Sequence, residues 1–99
     1  DDEEVSNVLR EVPDRIREFQ PEMIFWLCGM DTHKGSYGTQ AVSEKCYPRL
    51  AKIIKDTADE VCGGKLIVKT CCNAPPYAPR YAIPRIVDCL AETGKYSAE

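Results

Sequence analysis

The sequence predicts an α/β fold, ordered helix–strand–helix–strand–helix, with its two strands parallel. Three observations carry that prediction. Met23 to Cys28 and Lys65 to Lys69 are short apolar runs of strand length. A long segment with helical apolar spacing stands between them, and further helical segments flank the pair. Strands that alternate with helices build parallel sheets through right-handed crossovers.

Each element has its own signal. Val5, Val8, Leu9, Val12, Ile16 and Phe19 recur at three- and four-residue steps, a helical stripe. Pro13 lacks a backbone donor, so the stripe should kink or restart there, and Pro21 closes the segment. Met23 to Cys28 (MIFWLC) is apolar on both faces, as expected of a strand covered on both sides by helices. Gly29 ends it. Asp31 to Gln40 is polar and holds Gly35 and Gly38, which reads as a loop.

Ser43 is the predicted N-cap of the next helix, whose face carries Tyr47, Leu50, Ile53, Ile54, Thr57, Ala58 and Val61. Pro48 fits that helix only in its first turn, and Gly63-Gly64 supplies the stop. Lys65 to Lys69 is the second strand. Thr70 to Pro79, with three prolines, reads as irregular. A last helix carrying Ile83, Ile86, Val87 and Leu90 is expected to start near Pro84 and to end at Thr93-Gly94. No repeat and no linker divides the chain, so residues 1–99 are expected to form a single domain or a fragment of a larger one.

Composition narrows the function classes. Net charge is −3, with acids gathered at Asp1 to Glu4, so no basic footprint for nucleic acid or for an anionic membrane is present. The apolar run Met23 to Cys28 is far shorter than the roughly 20 residues of a membrane span, and no signal peptide is visible. The six cysteines are Cys28, Cys46, Cys62, Cys71, Cys72 and Cys89. Three lie inside apolar strand or helix patterns, where a free thiol packs as a small hydrophobe. Reduced cysteines in a cytoplasmic protein are therefore expected over a disulfide framework.

The segment Phe19 to Leu50 is the most informative stretch. Glu18-Phe19-Gln20-Pro21 precedes an apolar strand, a Cys28-Gly29-Met30-Asp31-Thr32-His33 loop follows, and then a helix begins with Tyr47 near its start. In this order the chain resembles the C-terminal part of the histone deacetylase and acetoin-utilisation family of zinc amidohydrolases. The resemblance implies the arginase/deacetylase three-layer fold, in which these two strands would be the last of an eight-stranded parallel sheet and would lie near its middle. It also implies a zinc-ligand aspartate at or beside Ser36. No Asp or Glu lies between Asp31 and Glu44, and a neutral hydroxyl does not replace a carboxylate as a hard anionic zinc ligand. The family's remaining ligands and catalytic histidines would lie upstream of these residues. No cofactor is expected for this chain alone, although zinc serves the resembled family.

Ligands of open α/β sheets sit beyond the carboxyl ends of the strands, so the two loops there are the place to look. The first holds Asp31, His33 and Ser36, with His33 the only histidine of the chain. A lone D-x-H pair is weak by itself: Asp31 capping the loop and His33 in solvent is the plainer explanation. In the resembled family this pair leads to the ligand and is not the ligand. The second loop, TCCNAPPYAPRY, stands where the family has strand-Gly-Gly-Tyr, with the tyrosine donating to the oxyanion of the tetrahedral intermediate. Alignment back from Ile86, Val87 and Leu90 puts Tyr77 on that tyrosine, whereas alignment forward from the strand puts Asn73 there. Tyr77 packed in a proline-stiffened loop is the plainer alternative.

Cys28, Cys71 and Cys72 form a possible thiol site for a soft metal or a redox step, against the alternative of buried inert thiols. A phosphate cradle is unsupported, because Gly63-Gly64 follows a helix and precedes a strand.

These readings converge on a C-terminal fragment or split subunit of a deacetylase-like zinc amidohydrolase domain, inactive alone. The alternative is a small non-catalytic assembly module, and a thiol-based metal or redox protein ranks third. Two parallel strands leave both sheet edges without partners, so self-association or binding to a second protein chain is expected.

Overall fold

Among the described residues, apolar spacing becomes four helices and one parallel strand pair. The computed structural model describes residues 2–29, 43–71 and 77–96. The order is α1 (Asp2–Leu9), α2 (Val12–Phe19), β1 (Ile24–Gly29), α3 (Cys46–Cys62), β2 (Leu66–Cys71) and α4 (Tyr77–Ala91). The α/β class and the parallel pairing of the strands agree with the sequence reading.

The first stripe restarts, as Pro13 requires. Proline is tolerated in an opening turn, where its missing N–H is needed by no partner, and Pro13 sits there in α2. The chain leaves α2 through Gln20 in the left-handed region (φ 54°), its amide donating to the Ile16 carbonyl at 2.9 Å. No residue of α2 is buried, and Phe19 is 81% exposed, although it belongs to the apolar stripe. The helix is moored instead by Arg17, which donates to both Glu60 oxygens at 2.5 and 3.2 Å. That hydrogen bond holds the Glu60 carboxyl below the usual carboxylate range.

β1 and β2 run in register from Ile24 opposite Leu66 to Gly29 opposite Cys71. Side chains alternate faces along a strand. The face with Trp26, Cys28 and Val68 packs against the core cluster of Cys28, Cys46, Tyr47, Ala51, Ala78, Ala82 and Ile86. The opposite face is open: Phe25 is 55% and Leu27 61% exposed, with Ile67 beside Phe25 at 46%. Cover on both sides, expected from an all-apolar strand, is therefore not found among the described residues. α3 touches β1 and packs along α4, which leaves the far side of the sheet without a helix among them.

Both strands begin one residue later and end one or two residues later than expected, and two helix starts differ from the sequence reading. Ser43 is not the N-cap of α3. Lys45 occupies that position with no side-chain cap, while the Ser43 hydroxyl and amide both donate to the Asp2 carboxylate, the amide at 2.6 Å. The start of α1 thus fixes the chain entering α3. α4 begins at Tyr77 and not near Pro84. Pro79 lies in its first turn, and Pro84 interrupts it on an exposed side. The Arg85 guanidinium donates to the Tyr81 carbonyl at 2.8 Å, supplying a donor beside the disturbed turn. α3 stops as predicted: Gly63 is left-handed at φ 65°, and the Gly64 amide donates to the Ala58 carbonyl at 3.0 Å.

Candidate functional site

Parallel register brings the carboxyl ends of both strands to one edge, with Gly29 and Cys71 opposite each other. The N-terminal turns of α3 and α4 meet the same edge, because Cys46, Tyr47 and Ala78 share one cluster with Cys28. A ligand site of the open α/β type would sit at this edge.

Of the sequence candidates, Cys28 lies within this cluster at 1% exposure and forms no disulfide. Tyr77 opens α4 at the same edge and is half exposed. Cys71 closes β2. Asp31, His33, Ser36 and Cys72 lie outside the described residues.

Two thiols, Cys46 and Cys89, are held in the protonated form. Burial is the main reason that the Cys46 thiol is pushed up, with the Asp2 carboxylate adding to it. Burial likewise pushes up Cys89. A thiol that ionises late is a poor nucleophile and a poor metal ligand near neutral pH. Among the described residues no group of three His, Cys, Asp or Glu side chains is placed to hold a metal ion, so these residues do not by themselves fit zinc. No helix among them is long and apolar enough to cross a membrane.

A second concave feature lies between α3 and α4, and local motif reading did not single it out. α3 and α4 border a groove of about 880 Å³ lined by Lys45 at the N-cap of α3, by Arg49 and Lys52 from α3, by Tyr81, Arg85 and Asp88 from α4, and by Glu92. The Arg85 guanidinium lies 3.7 Å from the centre of the Tyr81 ring and 4.5 Å from that of Tyr96. Tyr96 is brought back by Asp88, whose carboxylate accepts from the Thr93 hydroxyl, the Lys95 amide at 2.9 Å and the Tyr96 amide at 3.2 Å. The signal in the sequence was the i, i+4, i+7 spacing of the three α3 cations.

The Thr93 hydroxyl first, opposed by desolvation and aided by the backbone amides, holds the Asp88 carboxyl below the ordinary carboxylate range. A carboxyl depressed in the folded state stabilises it above the unfolded pKa and loses that contribution as pH falls through the folded value. The turn 93–96 should therefore stay fixed at neutral pH and loosen only under strong acid. Amide exchange at Lys95 and Tyr96 should accelerate on acidification beyond the intrinsic chemical trend, and Asp88→Asn should show the faster exchange already at pH 7. Unchanged protection in Asp88→Asn would show that the carboxylate does not hold the turn.

Fold and edge geometry define an α/β chain in which the carboxyl ends of a parallel strand pair meet at one edge. The family whose sequence model matches is the histone deacetylase domain, over residues 1–70. The chain belongs to this family. The family is generally zinc-dependent. No curated protein matches the chain.

Proposed function

We propose that this chain is the C-terminal strand–loop–helix portion of a deacetylase-like domain of the arginase/deacetylase fold, without hydrolase activity of its own. One observation carries the reading. The match over residues 1–70 includes the loop after β1, yet no carboxylate lies between Asp31 and Glu44 and the chain has a single histidine. A zinc site that activates water needs three protein ligands and an open position. Acyl-amide hydrolysis would then require another stretch of polypeptide to bring the missing groups. This chain would add the loop of Asp31, His33 and Ser36, with Tyr77 as an oxyanion donor.

Zinc titration followed by native mass spectrometry, beside an acetyl-lysine peptide assay, tests the proposal. The expected result is no stoichiometric zinc adduct and no turnover above buffer. A one-to-one adduct with zinc-dependent hydrolysis would overturn it.

The open sheet face favours a second reading, a non-catalytic assembly module. Phe25, Leu27 and Ile67 form an apolar patch on a parallel pair, a sheet type that is ordinarily covered on both faces. Self-association or a second protein chain would bury it. The same spectra read this directly, since a dimer mass would support the module and a monomer across the accessible concentration range would count against self-association.

A further inference from the structure

We propose that the groove between α3 and α4 binds an acidic peptide segment through a line of cations, an activity that goes beyond the deacetylase-like reading. Its volume of about 880 Å³ lies within the roughly 300–1,000 Å³ range of ligand pockets. Four cations line it in a chain whose net charge is −3.

The acids beside these cations are engaged elsewhere. Glu92 pairs with Lys55 at 2.5 Å, and Asp88, which stays ionised, directs its oxygens to the turn 93–96. Lys52 is paired with Asp56 at 2.9 Å across an exposed contact of small worth. Lys45 and Arg49 make no ion pair or hydrogen bond among the described residues. The four lining cations outnumber the two lining acids, Asp88 and Glu92, so a local positive potential survives in an acidic protein, where it selects anions.

Geometry favours a peptide over a point anion. Lys45, Arg49 and Lys52 advance along α3 by seven residues, about 10.5 Å of helix axis, and so spread their charge along a line. An extended segment with acids at alternate positions spaces its carboxylates about 7 Å apart on one face, and two of them span two of the three cations. Pro48, Ile53 and the Tyr81 ring supply apolar wall for the residues between the acids. Arg85, stacked against two tyrosine rings, holds the far side of the groove in a fixed geometry.

Fluorescence anisotropy of a labelled peptide of alternating Glu and Val, added to the full chain at low ionic strength, tests the proposal. Binding should be saturable and should weaken as salt screens the charges. The double variant Lys45→Glu/Arg49→Glu should weaken it by about tenfold or more. Lys65→Glu/Lys69→Glu, which changes net charge equally at exposed positions of and beside β2, should leave affinity within about twofold. Circular dichroism melting of both variants checks that each is folded. No saturable binding, or equal weakening by both double variants, would overturn the proposal. Displacement by inorganic phosphate at the same concentration as unlabelled peptide would overturn it too, in favour of a simple anion site.

Discussion

Tyr47→Ala should lower the unfolding free energy by about 3–5 kcal/mol, the cost of removing a buried aromatic ring. Tyr47 is 2% exposed in the second position of α3 and belongs to the cluster that joins β1, α3 and α4. The surrounding side chains are small: Ala51, Ala78 and Ala82 are fully buried, and Cys28 and Cys46 are 1% exposed. Such short side chains cannot reach far into the vacated volume, so the cavity term adds to the lost transfer energy. A domain of this size holds about 5–15 kcal/mol in total, so the variant should sit near its unfolding threshold. Urea denaturation at neutral pH measures the change, and Tyr47→Phe separates the ring from its hydroxyl. The phenylalanine variant should lose no more than about 1–3 kcal/mol, the desolvation penalty of one unpaired buried partner. A loss below about 1 kcal/mol in Tyr47→Ala would mean that the ring does not anchor the core.

The same cluster explains how far the sequence could be read. β1, α3 and β2 were legible because apolar periodicity and the Gly63-Gly64 stop are local signals. The start of α4 was not, because Pro79 and Pro84 read as breakers. One occupies a first turn and the other an exposed side, where a missing donor is tolerable. Asp2 bonding to Ser43 spans 41 residues, and no local pattern announces such a pair. The open face of β1 was illegible for another reason. An all-apolar strand states that both faces can be buried, but not which polypeptide buries them.

The candidate site divides in the same way. A helix–strand–D-x-H order was enough to identify the family, since it lies within the matched residues 1–70. Cys28 and Tyr77 are brought to one edge of the sheet. The groove of α3 and α4 needed the tertiary structure, because Arg85 and Tyr96 reach the α3 cations only through helix packing and the turn held by Asp88.

Neighbouring positions on α4 offer the sharpest check on that packing. Ile86→Ala should cost about 2–5 kcal/mol, whereas Val87→Ala should stay within about 0.5 kcal/mol. Ile86 is 4% exposed within the core cluster and Val87 is 56% exposed, although sequence spacing put both on one apolar stripe. One residue step turns a side chain about 100° around a helix, which is enough to carry it from the α3 contact into solvent. Thermal and urea unfolding of the two variants reads the contrast. Ile86 and Tyr47 share a cluster, so the double variant Tyr47→Ala/Ile86→Ala should cost less than the sum of its parts, since one enlarged cavity forms in place of two. Equal losses in Ile86→Ala and Val87→Ala would mean that a further surface covers Val87, and a native mass of the Val87→Ala chain would then show whether that surface belongs to a second copy.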